Sequence, residues 1–260
     1  MVLAFYREHK RPMAWRETVD PYCILVSEIM LQQTQVERVS LKYPEFMARF
    51  PDFPALAAAS PADILPVWQG MGYNRRAIAL QRCAARVVEN YDGQLPRDPA
   101  ILVTFPGIGK ATASSIAAFA FNLPVVFIET NIRRVFIHFF FRDGETVSDD
   151  EILPLVERSL DRENPREWYW ALMDLGTLLK KSVPNPNRRS THYTKQSAFE
   201  GSDRKIRGEI LRELVSQKQM TVADITGNQE KKRERVIRIL QSLETEGFVQ
   251  KNGKYYEIVS

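Results

Sequence analysis

The sequence predicts an all-α body followed by a small α-plus-hairpin segment, and three observations carry that reading. Up to about residue 181, apolar residues recur at helical spacing and no stretch shows sustained strand alternation between paired turn signals. Residues 183–202 lose this periodicity and fill with proline, asparagine and serine, as a long connection does. Near the end, Asn252-Gly253 stands between two short alternating runs, the strongest short-range signal for a hairpin.

The stretch 22–35 places Ile24, Leu25, Glu28, Leu31 and Gln32 three and four apart, so a helix here has an apolar face interrupted by one carboxylate. Ser60-Pro61-Ala62-Asp63 reads as a helix start, with Ser60 as N-cap, proline in the first turn and Asp63 reaching back to the free N–H groups. That helix runs through Trp68, and further helices fit 75–90, 99–104, 110–121, 131–141, 149–160 and 165–181. After the connection come helices over 204–216, 222–225 and 230–246, the last with Val236, Ile239, Leu240 and Leu243 on one face, then runs 248–251 and 254–258 around the Asn-Gly turn. Three helices and a hairpin in this order resemble a winged helix-turn-helix whose third helix carries Lys231, Lys232, Arg235 and Arg238, a shape that serves DNA contact or plain packing. The expected domains are 1–181, a basic connection 182–203, and 204–260.

With 44% hydrophobic and 26% charged residues among 260, the chain is neither disordered nor fibrous. No apolar run approaches the ~20 residues of a membrane span, and no secretory leader pattern is visible at the start. A cytoplasmic, nucleoid-associated protein without a membrane partner is expected. Cys23 and Cys83 each lie inside a helical pattern, which suits buried small hydrophobes and not a disulfide framework or a metal site. The net charge of +4 is uneven: residues 180–207 hold eight basic and two acidic side chains, a local +6 that leaves the rest near −2. Such a segment suits a polyanion partner or a solvated linker.

Phe105-Pro106-Gly107-Ile108-Gly109-Lys110-Ala111-Thr112 lies between two helical patterns. Its two glycines let the backbone come close to a ligand, and the N–H groups opening the next helix point outward with the helix dipole behind them, a phosphate clamp formed around Gly107, Gly109, Lys110 and Ala111.

Five motifs now stand in order: Glu28-Ile29-Met30-Leu31-Gln32-Gln33-Thr34-Gln35-Val36, Gly70-Met71-Gly72-Tyr73, the Pro-Gly-Ile-Gly turn, Asn131-Ile132-Arg133-Arg134-Val135 and Met173-Asp174-Leu175-Gly176. In order and spacing they resemble the helix-hairpin-helix DNA glycosylases, and among these the MutY-type adenine glycosylases, over roughly residues 10–181. The resemblance implies the all-α helix-hairpin-helix glycosylase fold of two helical lobes, here with the small C-terminal winged helix, and a base excision repair enzyme that flips a nucleotide out of duplex DNA. It implies Glu28 as the general acid that protonates adenine, a role suited to a carboxyl on an apolar helix face. It implies Gln33 and Tyr73 as residues entering the base stack, with Gln32, Thr34 and Asn131 in the same DNA-facing motifs.

The sequence departs from the family pattern at four places. Where the family carries an aspartate that stabilises the oxocarbenium-like sugar, this chain has Glu129, one methylene longer; it does the same electrostatic job or is only a helix N-cap. Where bifunctional relatives carry a Schiff-base lysine stands Ala111, so water is the expected nucleophile and an abasic site the product. Four positions of the family's iron–sulfur cysteines fall on Lys180, Asn187, Ser190 and Gln196, so no cofactor or metal is expected, and Arg188 and Arg189 are expected to draw the DNA backbone instead. The family's opposite-base reader has no counterpart in the winged-helix-like end. The expected partner is double-stranded DNA with a mispair or lesion, met by a monomer, and the expected substrate is adenine opposite guanine or 8-oxoguanine. Excision of uracil or hypoxanthine, and a non-catalytic DNA-binding regulator, are the other readings.

Overall fold

The structure, a computed structural model, describes residues 2–195, 198–227 and 232–260. The chain folds into α1 (Val2–His9), α2 (Pro21–Leu31), α3 (Val36–Arg49), α4 (Phe53–Ala57), α5 (Pro61–Trp68), α6 (Arg75–Asn90), α7 (Pro99–Leu102), α8 (Lys110–Phe121), α9 (Thr130–Phe140), α10 (Asp149–Ser159) and α11 (Pro165–Ser182). There follow α12 (Asp203–Gln217), β1 (Gln219–Thr221), α13 (Val222–Thr226), α14 (Arg233–Thr245), β2 (Val249–Asn252) and β3 (Tyr255–Ile258). It is a mostly helical chain with one small antiparallel sheet. Its helix starts follow local chemistry: Ser60 with Asp63, Ser148 with Glu151 and Thr221 with Asp224 form capping boxes, and Asp52 and Asp98 cap α4 and α7.

Several expectations are corrected. The helix expected over 22–35 ends at Leu31, and an unanticipated helix, α3, begins at Val36; the helical spacing runs on through the break, so periodicity could not locate it. Helices α1 and α4 and strand β1 were likewise not anticipated. The aperiodic 183–202 contains a short 3-10 turn, Pro186–Arg189, and a bridge from Ser190 to Val147. Of the positions named above, Gln196, Glu230 and Lys231 lie outside the described residues.

The chain divides into two compact units, residues 1–29 with 95–195 and residues 30–94 with 196–260. In the first, α9 packs on α11 around Ile132, Val135, Phe136, Tyr169 and Leu172, with Phe119 and Phe127 adding ring contacts. Gly176 lets the two helices touch: a Cβ there would meet the Asn131 carbonyl oxygen at 2.5 Å. The segment 185–191 is pinned to the same unit, because Asn187 donates to the Thr130 carbonyl at 2.9 Å and Val147 exchanges backbone bonds with Arg189 and Thr191.

In the second unit the sheet has the order β1-β3-β2, with Gln219 opposite Glu257 and Val249 opposite Ile258, and with α12, α13 and α14 it forms the winged-helix arrangement. This segment is no separate core. Leu65 of α5 and Ile78 of α6 are buried in one cluster with Ile210, Leu214, Ile239, Leu240 and Phe248, and the Ala62 amide donates to the Val259 carbonyl. A carboxylate reinforces the junction: Glu246 accepts two hydrogen bonds from Arg75 at 2.6 and 2.8 Å and two from Arg207 at 3.0 and 2.8 Å. Burial alone would raise its pKa, but hydrogen bonds from Arg75, Ser242 and Arg207 prevail and hold it at about 2.

Because this folded-state pKa lies below that of an unfolded glutamate, Glu246 stabilises the protein above about pH 4.5, and that contribution fades as pH falls toward 2. Urea denaturation is expected to show Glu246→Gln about 2 kcal/mol less stable at pH 7, with the difference from the parent protein shrinking at pH 3. An equal difference at both pH values would contradict the ion-pair account.

Candidate active site

α2 is apolar almost all round, with Leu25, Val26 and Ile29 fully buried, and Glu28 is its one acidic side chain. The carboxyl is half-buried and faces α8, where Ser115 shares a hydrogen bond with it. The Ser115 hydroxyl, which donates to the Glu28 carboxylate, also lies 3.0 Å from the Thr112 carbonyl, a second acceptor for the same hydrogen. Burial drives the Glu28 pKa up to about 7; the Ser115 hydrogen bond opposes this, the charge of Glu129 adds to it, and the charge of Arg16 opposes it. A carboxyl poised near neutrality can hold a proton and release it at working pH.

Glu129 is the N-cap of α9. One carboxylate oxygen accepts from the Asn131 and Ile132 amides at 2.7 and 3.0 Å, and the other lies 3.3 Å from the Asn131 side-chain nitrogen. Burial raises its pKa, while those amides and the charges of Arg134 and Arg133 pull it back. The two carboxyls therefore differ in environment: Glu28 has one hydroxyl partner, Glu129 has three N–H donors and two nearby guanidinium groups. The pair favours the proton on Glu28 and the negative charge on Glu129.

The cap is supported from behind. Arg134, only 4% exposed, donates to the Asn131 side-chain oxygen and to the Gly176 carbonyl, both at 2.7 Å. Gly176 closes on the Asn131 backbone, and Asn187 holds the Thr130 carbonyl. Asn187 and Ser190 stand at expected cluster positions, and these, with Lys180, offer an amide, a hydroxyl and an amine where iron needs thiolates; they do not fit an iron–sulfur cluster. Hydrogen bonds do the fastening there instead.

The other expected site residues are placed as follows. In the 105–109 turn Gly107 takes φ 74°, and Gly109 is the N-cap of α8 with a β-region backbone. Gly109, Lys110 and Ala111 are exposed at the opening turn of α8, so the backbone there is accessible to a phosphate. Arg188 is exposed, whereas Arg189 is turned onto the loop 142–145, bonding the Arg142 and Glu145 carbonyls and pairing with Asp143 at 3.4 Å. Arg189 is thus a fastener for that loop more than a free cation.

Within the second unit, Gln33 and Tyr73 are both exposed and both in the left-handed backbone region, φ 53° and 48°, which non-glycine residues occupy only when something holds them. That holder is Arg76. Its buried guanidinium donates to the Met30 and Gln32 carbonyls, to Thr34 Oγ1 and to the Met71 and Gly72 carbonyls, at 2.6 to 3.1 Å, and stacks 5.5 Å from the Tyr73 ring. Gln32 and Thr34 are therefore half-buried supports, and Gln33 and Tyr73 the projecting residues.

Sequence reasoning missed Ser115 and three arginines. Arg76 lies in the helical pattern of α6 and reads as surface charge. Arg11 and Arg16 both bond the buried Asp174, Arg16 with two contacts at 2.9 and 3.0 Å and Arg11 through its side chain at 2.7 Å. Arg16, held by Asp174, is the guanidinium whose charge lowers the Glu28 pKa. A buried acid within Met-Asp-Leu-Gly was the available signal, but its partners lie more than 150 positions away in sequence. A cleft of about 370 Å³ lies beside these arginines, lined by Lys10, Arg11, Arg166 and Trp170, but neither Glu28 nor Glu129 lines it.

Residues 26–157 match the family of HhH-GPD superfamily base excision DNA repair proteins. The chain belongs to that family. It is 35% identical over 236 residues to the adenine DNA glycosylase of Mycobacterium tuberculosis, covering 81% of this chain and 76% of that one. It is 31% identical over 222 residues to the adenine DNA glycosylase of Mus musculus, covering 80% of this chain and 42% of that protein. Among solved structures, a thermostable thymine-DNA glycosylase is similar with a TM-score of 0.63 at 27% identity, over 68% of this chain and 83% of that one. A complex of endonuclease III with DNA shares the fold, with a TM-score of 0.54 at 18% identity over 68% of this chain and 81% of that one. The chain is a DNA glycosylase of base excision repair, and the fold is the helix-hairpin-helix glycosylase fold with an added winged helix.

Two outcomes follow from this geometry. Gly176→Ala is expected to push Asn131 away from α11, costing about 1–3 kcal/mol of stability and lowering excision by more than thermal melting alone accounts for, read from single-turnover rates below the melting range. Ser115→Ala removes a bond that lowers the Glu28 pKa, so the alkaline limb of the excision pH profile is expected to move to higher pH; a shift to lower pH would show that Ser115 does not act on Glu28.

Proposed function

We propose that this chain is a monofunctional adenine DNA glycosylase that excises adenine opposite guanine or 8-oxoguanine and works as a monomer. The observation that carries the reading is Glu28: a half-buried carboxyl with a pKa of about 7, coupled to a second carboxyl, Glu129, that is held by backbone amides. The adenine glycosylases to which the chain is similar support adenine as the base.

In the proposed reaction Glu28 gives its proton to a ring nitrogen of the flipped adenine. The C1′–N9 bond breaks with its electron pair leaving on the purine, and the positive charge that develops on the sugar faces the Glu129 carboxylate. A water molecule adds at C1′, and the proton it loses restores Glu28 to its acid form. Ala111 supplies no amine, which supports hydrolysis without a Schiff base. Gly107, Gly109, Lys110 and Arg188 would hold phosphates, while Gln33 and Tyr73 would fill and wedge the stack. Glu129 reaches one methylene further than an aspartate, and its bonds to two successive amides in the first turn of α9 take up that length.

The test is a panel of labelled duplexes carrying A opposite 8-oxoguanine, A:G, U:G, T:G and hypoxanthine:T, each scored with and without alkali. Cleavage of the two adenine duplexes only after alkali is the expected result; preference for T:G, U:G or hypoxanthine:T would replace adenine as the substrate, and scission without alkali would refute monofunctional chemistry. Glu28→Gln is expected to be inactive on the cleaved duplex, and Glu129→Asp to retain or gain activity. Tight binding of all five duplexes with cleavage of none would favour a DNA-binding regulator.

A further inference from the structure

The C-terminal segment does more than pack. Tyr73 stands at the start of α6, its backbone in the left-handed region and its ring resting against the Arg76 guanidinium. The tip of the ring is held from elsewhere: Arg204, in the first turn of α12, donates to the Tyr73 hydroxyl oxygen at 3.2 Å. Arg207 lies three residues on, hence on the same face of α12, and grips Glu246, which also grips Arg75 in the first turn of α6. Arg82, two turns along α6, donates to the Glu246 carbonyl at 3.3 Å. The turn that carries Tyr73 is thus tied to the winged-helix segment on both sides, at the hydroxyl through Arg204 and at the following helix through Glu246.

We propose that the winged-helix segment is a positioning element for the wedge, with Arg204 holding the Tyr73 side chain in the orientation in which it enters the base stack. This rests on the reading of Tyr73 as a wedge given above. Tyr73 is left-handed with 39% of its surface exposed, and without the bond at its tip the ring would spend more rotamer entropy each time it inserts. A guanidinium already seated on the hydroxyl removes part of that cost before DNA arrives. Arg204 is a positioning residue, and it acts through Tyr73.

The test is a double-mutant cycle in the full-length protein with Arg204→Met, Tyr73→Phe and both together, so that the loss at one site is measured in the presence and absence of the other. Two readouts need no excision: affinity for a duplex with an abasic-site analogue, and the fluorescence of 2-aminopurine placed beside that site, which rises when the stack is opened. Each single variant is expected to weaken binding roughly three- to tenfold, the net weight of one ordinary hydrogen bond, and to reduce the fluorescence rise. The double variant should be no worse than the poorer single, and Arg204→Lys should recover part of the signal. Independent, multiplying losses, with Arg204→Met also lowering the salt slope by about one, would make Arg204 a phosphate contact and overturn the proposal. An Arg204→Met protein indistinguishable from the parent would overturn it as well. Since neither readout involves base removal, failure of the adenine assignment would appear separately, as an intact 2-aminopurine response in a protein that cleaves no adenine duplex.

Discussion

Desolvation of one carboxyl is the constraint around which the catalytic unit is arranged. Glu28 occupies a helix whose other faces are committed to the core, so its charge has little water to settle it, and its proton is retained up to about neutrality. Such a group is costly to the fold. Its pKa is raised above that of an unfolded glutamate, so the native state loses stability as pH rises from about 4.5 toward 7. The same property suits it to the proposed role of proton donor. The neighbouring groups adjust the position of that equilibrium: Ser115 and Arg16, the latter held by Asp174, lower it, and Glu129 raises it.

The second carboxyl shows how a helix end can serve chemistry. Glu129 is a cap by geometry, and the sequence left open whether it was anything more. In the structure amides hold its charge, and that charge raises the Glu28 pKa. A carboxylate at a helix N-terminus is stabilised by the unsatisfied N–H groups and the dipole. Keeping it there requires α9 to be fixed in place, which Gly176, Arg134 and Asn187 do by close contact and by hydrogen bonds.

In the second unit arginine plays the organising part. Arg76 collects carbonyls from two turns separated by some forty residues and so holds Gln33 and Tyr73 in backbone conformations they would not adopt alone. Five donors in a rigid fork make this possible, and a lysine could not reach the same set. Arg75 and Arg207 then join α6 to the winged-helix segment through Glu246, so that the added segment and the projecting tyrosine share one framework.

Much of this was legible in the chain. Helical spacing and the capping box at Ser60 indicated where most helices lie, Asn252-Gly253 the hairpin, and the ordered motifs the fold family with Glu28 as the expected acid, because each of these signals is carried by residues close in sequence. The break after Leu31 was not legible, since the residue that holds it, Arg76, lies on another helix and looks like ordinary surface charge. The sharing of a core between Leu65, Ile78 and the C-terminal helices, the pairing of Arg16 with Asp174 and the inward turn of Arg189 were hidden for the same reason. Local sequence determined which elements form and which chemical groups are present. Tertiary structure alone decided which charges are stripped of water and which distant partners compensate them, because burial and pairing depend on neighbours that only folding brings together.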